Sequence, residues 1–256
     1  MAKFERVKDK WKELRKNLYG NVEPEVKLEA VTIPVFKDIT AVLPEYEYLA
    51  DVTTGEPHVS WRQVEQLPAM SAGVSYGSRN KLNSEKAINL NKKLIDLKHM
   101  TPLESIQYNI YISGISKACG AQLSRYRHTG HISASLRYQE GQPLFIYPSL
   151  DYITDEEDAT SLLLQLSQIY SESYKYYYNP LRKMGMHKED ARGVLPVSYA
   201  TERIMWVNAR ELRHIFTERL QVTAQWEIRR VMFMVFDLIE PLFPSLFFDI
   251  KQEIID

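Results

Sequence analysis

Between residues 106 and 112 apolar side chains occupy every second position, as Ile106, Tyr108, Ile110 and Ile112. A period of two marks a strand with one buried face. Such a strand needs a sheet around it and a layer to cover the sheet, so the rest of the chain must supply helices. Helical patterns do follow. One is predicted over residues 155–178, capped by Thr154, stopped by Asn179 and Pro180, and turning Leu162, Leu166, Ile169 and Tyr170 inward. Others are predicted over residues 209–219 and 224–239, the latter ending near Pro241. Ser84 is the expected cap of a helix running to about Leu97, with Ile88, Leu90, Leu94, Ile95 and Leu97 as its apolar side. Gly114 is expected to end the strand, residues 115–124 to form a short helix, and residues 132–138 to be extended. The expected class is α+β, a single domain with a modest mixed or antiparallel sheet surrounded by long helices.

At the amino terminus Phe4, Val7, Trp11, Leu14 and Leu18 recur three and four apart, which predicts a docking helix with one apolar stripe. The interspersed acidic residues and the short stripe weigh against a helix lying on a membrane. Pro24, Pro34, Pro44 and Pro57 break any helical pattern further on, and only residues 31–36 look strand-like. Residues 1–68 are therefore expected to be an amino-terminal extension and residues 69–256 the main domain. The net charge of -1 weighs against binding long nucleic acid by bulk electrostatics, so any anion must be met by local clusters. The single cysteine, Cys119, excludes an intramolecular disulfide and fits a reducing compartment. With no signal-peptide pattern and no membrane-length apolar run, the expected location is cytoplasmic.

Three clusters carry possible chemistry. Arg125, Arg127 and Arg137 lie among His128, His131, Ser133 and Ser135 with almost no acidic partner. Planar guanidinium forks suit phosphate oxygens, although a solvated basic loop would look the same. Arg192 stands alone in DARGVLP. In VNARELRHIFTERL, helical spacing puts Arg210, Arg213 and His214 on one face, which suits either a phosphate or flavin ring or a solvated face paired with Glu211 and Glu218. Other chemistries lack support: His128 and His131 have no third metal ligand, and neither a glycine-rich phosphate loop nor a GxSxG elbow occurs.

Taken together, the order of these segments resembles the flavin-dependent thymidylate synthases. HMTPLES, residues 99–105, looks like the family's H-x-[ST]-P-[FL]-E segment. RYRHTGHISASLRY, with Gln122 three residues upstream, looks like RHRxxSxNExSxRY, matched by Arg125, Arg127, Ser135, Arg137 and Tyr138. The third segment carries ARxVLP, NAR and AQWEI in family order. The resemblance implies a homotetramer whose active sites lie at subunit interfaces, FAD as cofactor, and 5,10-methylenetetrahydrofolate as one-carbon donor, with NADPH a candidate reductant. It puts Gln122, Arg125, Ser135, Arg137 and Arg192 on a pyrimidine deoxynucleotide and Arg219 beside the pyrimidine as the polarising group. It puts Ser75, Thr101, Glu104, Arg127, Asn208, Arg210 and His214 on flavin, and His99 where folate and flavin meet. Arg219, Ser135 and His99 are thus the expected catalytic residues, and no metal is implied.

The signature is also altered. Tyr126 stands for histidine, Gly130 for serine, Ile132 for asparagine and Ser133 for glutamate, and Thr223 replaces a histidine before the AQ pair. Ile132 has neither donor nor acceptor, and Ser133 has no charge. Three readings stay open. The leading one is methylation of dUMP to dTMP; the second is a dUMP or dCMP 5-hydroxymethylase in which water captures the methylene; the third is a non-catalytic scaffold.

Overall fold

The computed structural model describes residues 6–31, 49–50, 57–58, 61–78 and 82–255. Its strands are β1 (Glu25–Val31), β2 (Leu49–Ala50), β3 (Pro57–His58), β4 (Gln107–Ser116), β5 (Thr129–Ser133) and β6 (Ala200–Asn208). Four of them form an antiparallel sheet in the order β1-β4-β6-β5, and β2 pairs with β3 separately. Its helices are α1 (Lys12–Arg15), α2 (Trp61–Glu65), α3 (Leu67–Ser75), α4 (Ser84–Asp96), α5 (Lys117–Leu123), α6 (Glu156–Glu172), α7 (Asn179–Lys183), α8 (Lys188–Ala191), α9 (Ala209–Arg219), α10 (Trp226–Ile239) and α11 (Pro244–Ile255). The α+β class holds.

The period-two run is the centre of the sheet: Ile106, Tyr108, Ile110 and Ile112 are fully buried. Gly114 does not end β4. At φ +62 it sits in a register shift between Ile112 and Ile115, where an added Cβ would lie 2.0 Å from the carbonyl oxygen of Glu23. Only glycine fits there, and the strand runs on to Ser116. The neighbouring strand β6 escaped prediction. It alternates as β4 does, with Thr201, Arg203, Met205 and Val207 buried, but the inward arginine hides the pattern.

Helices α9, α10 and α11 cover the inner face. Phe216, Phe236 and Phe247 meet edge to face with ring centroids 5.3 to 6.5 Å apart, in one cluster with Tyr108, Ile110 and Met205. A buried carboxylate ties this layer to β4, since Glu227 accepts from the backbone N–H and the hydroxyl of Ser116, each at 2.6 Å. Ser116 in turn caps α5 by accepting from the N–H of Cys119 at 2.9 Å.

A second cluster gathers Trp11, Phe145, Tyr147, Tyr170 and Tyr199 under α6. Here several expectations are corrected. The cap of α6 is Asp155, not Thr154, because its carboxylate accepts from the N–H groups of Glu157 and Asp158 at 2.8 and 3.0 Å. Pro180 does not stop the helix. It lies in the first turn of α7, where a missing N–H is tolerated, and the π turn Ser173–Tyr178 joins the two helices. The inward residues are Ala159, Leu163 and Tyr170, while Leu162 and Ile169 are exposed. Tyr170 sets this rotation, with Phe145 and Tyr147 each 4.9 Å from its ring. On α4 the cap is Asn83, which accepts from Lys86 N–H at 2.9 Å, and Leu97 is exposed.

Among the described residues, the docking helix shrinks to α1. Trp11 is nevertheless buried and its indole N–H donates to Leu150 O at 3.1 Å, with Leu14 and Leu18 packed on the same cluster; Phe4 lies outside the described residues. The strand expected over residues 31–36 lies outside them beyond Val31, which ends β1, and β1 itself pairs with β4. β5 stops at Ser133, and the chain then turns, with Ser135 O accepting from the N–H groups of Tyr138 and Gln139. Among the described residues no helix is long and apolar enough to cross a membrane.

Candidate functional site

Two cavities of about 520 and 590 Å³ adjoin along Lys98, Met100 and Arg210, which line both. Ser75 at the end of α3, His99 after α4 and Thr101 line the first; Glu104, Asn208 and His214 line the second. Seven residues expected on a flavin or where it meets folate are thus brought to these two cavities from three parts of the chain. Asn208 caps α9, its Oδ1 accepting from Glu211 N–H at 2.8 Å, which leaves its Nδ2 donors without a partner among the described residues. Arg210 is the second residue of the same helix and pairs with Glu104 at 2.6 Å. Tyr76 reaches the imidazole of His99, Oη to Nδ1, at 3.3 Å. Tyr76, Lys98 and Met100 were not anticipated, and only their adjacency to Ser75 and His99 pointed to them.

The volumes suit a cofactor-sized ligand, for which roughly 300 to 1,000 Å³ is usual. The lining combines Lys98 and the Glu104-paired Arg210 with the uncharged Ser75, Thr101 and Asn208, the imidazoles of His99, His128 and His214, and the carboxylates of Glu211 and Asp249, which suits a polar ring and leaves Lys98 and Arg210 as the cations for an anionic group. Arg213 is a different case. It lines the second cavity, but its guanidinium is buried and paired with Asp249 of α11 at 2.6 and 2.9 Å. Burial would raise the Asp249 carboxyl, and the hydrogen bonds and charge of Arg213 outweigh it and hold it below its ordinary value. Arg213 therefore fastens α9 to α11. Arg127 lines neither cavity and is exposed on the loop after α5, as is Arg125.

The residues expected on the nucleotide form two further groups. Around the ends of α5 and α9, Gln122 donates to Gln225 at 3.4 Å, and Arg219 Nε donates to the hydroxyl of Tyr126 at 2.6 Å. That hydroxyl donates to Glu218 Oε2 at 2.9 Å. Burial, then the bond to Glu218, pushes the Tyr126 phenol up to about 12, so it is neutral at ordinary pH. The second group centres on Glu189, whose carboxylate pairs with Arg137 at 2.8 Å while its carbonyl accepts from Arg192 Nε at 3.0 Å. Ser135 braces the turn before it, its Oγ accepting from Arg137 N–H at 3.3 Å.

Beneath the arginine loop lies Arg203 of β6, a buried cation with no carboxylate partner among the described residues. It donates to Ser124 Oγ at 3.1 Å and to His131 Nδ1 at 3.4 Å, and an added Cβ at Gly120 would lie 2.4 Å from it. Burial, with the charge of Arg203, lowers the imidazole of His131 and keeps it neutral. His131 is thus a support for this loop.

The altered signature positions have a local cause. Gly130 faces Trp206 across the β5–β6 ladder, and an added Cβ would sit 3.2 Å from the indole. Ile132 stands opposite Ile204 and is exposed on the same outer face. The lost polar groups have become an apolar strip with Trp206, and none of Gly130, Ile132 or Ser133 lines either cavity.

Comparison with known proteins adds the following. The family model described as "Thymidylate synthase complementing protein" matches residues 59–245. A flavin-dependent thymidylate synthase of Haloarcula marismortui is 30% identical over 190 residues, covering 66% of this chain and 77% of that one. One of Geobacter sulfurreducens is 31% identical over 195 residues, covering 72% and 81%. Among solved structures, a UMP/dUMP methylase of Streptomyces cacaoi bound with 5-Br dUMP superposes with a TM-score of 0.68 at 18% identity, over 88% of this chain and 93% of that one, a likeness of fold.

Proposed function

The chain belongs to the flavin-dependent thymidylate synthase family, and from that premise we propose that it transfers a one-carbon unit from methylenetetrahydrofolate to C5 of dUMP, giving dTMP. The observation that carries this reading is the pair of adjoining cavities, lined by Ser75, His99, Thr101, Glu104, Asn208, Arg210 and His214 and sharing Lys98, Met100 and Arg210. Those residues would hold FAD, with Arg210 and Lys98 meeting its phosphates. When bound and reduced, the flavin supplies the hydride that completes the methyl group.

The protein's own part is electrostatic and positional. Arg219 places a permanent cation beside the pyrimidine carbonyl, where negative charge gathers as C5 becomes nucleophilic, so no covalent enzyme nucleophile is required. Gln122, Arg125, Ser135, Arg137 and Arg192 bind and orient the nucleotide, and Ser135 positions without attacking. Because Arg137 and Arg192 line neither cavity, while Arg219 reaches the second through Tyr126 and His214, the reading assigns the Arg137–Arg192 group to sites completed across a homotetramer in the cytoplasm, with NADPH as reductant.

A second reading keeps the site and changes the product. Apolar Ile132 and Gly130 in place of polar signature residues alter the outer face of β5, and a site that lets water capture the methylene would yield 5-hydroxymethyl nucleotide. The same altered face makes UMP and dCMP worth testing beside dUMP. The experiment is direct: the purified protein should be yellow with flavin absorbance, and dUMP should raise its Tm. A colourless protein whose melting is unmoved by dUMP, UMP or dCMP contradicts both readings.

A further inference from the structure

Tyr126 occupies the place where the family signature carries histidine, and its surroundings give that exchange a role. The Nε–H of Arg219 donates to the phenol oxygen at 2.6 Å, the phenol donates to Glu218 Oε2 at 2.9 Å, and the guanidinium lies over the ring, 5.4 Å from its centroid. His214 meets the same ring edge-on at 5.9 Å. Tyr126 is only 8% exposed, so its ring is fixed by packing and its hydroxyl by the two hydrogen bonds. Among the described residues no acceptor meets Nη1 or Nη2 of Arg219.

A guanidinium beside a carboxylate ordinarily closes into a two-point fork. Glu218 is the adjacent carboxylate, and such a fork would occupy the donors and cancel the charge that a polarising arginine needs. The phenol stands between the two. It takes up the Nε edge, satisfies Glu218 with its proton, and leaves the Nη edge and the full positive charge available.

We propose that Tyr126 is a positioning residue that fixes Arg219 and insulates it from Glu218. The proposal rests on the role given to Arg219 above. The neutral state of the phenol, whose value is pushed up to about 12, means the arrangement persists across the working pH range.

The test has one arm that needs no turnover. In full-length protein labelled with ¹⁵N-arginine, the Arg219 Nε–H signal is assigned by its loss in Arg219→Lys. It should exchange slowly in the wild type and at least about 10-fold faster in Tyr126→Phe, which keeps the ring and removes the hydroxyl. In the second arm, Tyr126→Phe should lower kcat for dUMP by about 10-fold or more, as expected on losing a hydrogen bond to a charged group, with KM changed by less than about threefold. Adding Glu218→Gln to that variant should restore part of the lost kcat, because the competing carboxylate is gone. A role in packing alone would lower Tm without this split and without rescue.

Fast Nε–H exchange in the wild type, or slow exchange that survives in Tyr126→Phe, overturns the proposal, and the first of these needs only the assigning variant Arg219→Lys, not Tyr126→Phe, to fold. An unchanged kcat, or a double variant no faster than the single one, overturns it as well. A wild-type protein with slow, tyrosine-dependent exchange that converts no nucleotide leaves the fixation of Arg219 standing and removes the function proposed above.

Discussion

Each arginine of this chain is defined by what answers its charge. Arg219 is met by a neutral phenol, Arg137 by the carboxylate and Arg192 by the backbone carbonyl of one glutamate, and the buried Arg213 by a half-buried aspartate. Arg219→Ala should therefore abolish turnover and leave the circular dichroism spectrum unchanged, and wild-type turnover in that variant would remove its assignment. Arg192→Ala should weaken dUMP binding about 10- to 100-fold, the range for losing a charge-assisted hydrogen bond, measured by isothermal titration. Asp249 acts on stability. Its folded-state value lies below the unfolded one of about 3.9, so its pairing contributes stability above that value and loses it as pH falls through the folded value. Asp249→Asn should thus lower Tm at pH 7 and flatten the decline of Tm in acid; an unchanged acid slope would contradict the pairing. Sequence could place Arg210 and His214 together because helical spacing does so, but it could not separate them from Arg213, whose partner lies 36 residues away in α11.

Elements were legible where one physical signal governed them. β4 follows from strict alternation, although it runs past Gly114 to Ser116, and α9 spans the residues 209–219 expected of it. β6 was not legible, because Arg203 points inward and among the described residues is met by Ser124 and His131 from distant segments, with its Nε left without a partner. The rotation of α6 and its passage through Pro180 were hidden for the same reason, since the stacking of Tyr170 on Phe145 and Tyr147 is non-local. Two substitutions probe this scale. Gly114→Val should cost about 2 kcal/mol or more, from a strained positive φ and the approach to Glu23 O, read as a lowered urea midpoint. Asn208→Asp should keep the cap of α9 and hence Tm, while removing the amide donor, so that flavin content falls; loss of Tm with flavin retained would contradict the assignment.

At the scale of the whole molecule, one chain presents the Arg137–Arg192 cluster outside the lining of both cavities, and it leaves Leu162, Ile169 and Tyr176 exposed along the α6 helix and its π turn at spacings of seven. On the proposed reading that stripe is covered in the homotetramer. Light scattering should give four times the 29.9 kDa chain mass, and Ile169→Glu should reduce it. The central claim is C5 chemistry on a pyrimidine nucleotide by a flavin enzyme. Its most direct test is mass spectrometry of the nucleotide after incubating the purified protein with dUMP, methylenetetrahydrofolate, FAD and NADPH. The account predicts dTMP, a 5-hydroxymethyl product would move it to the second reading, and dUMP recovered unchanged would contradict it.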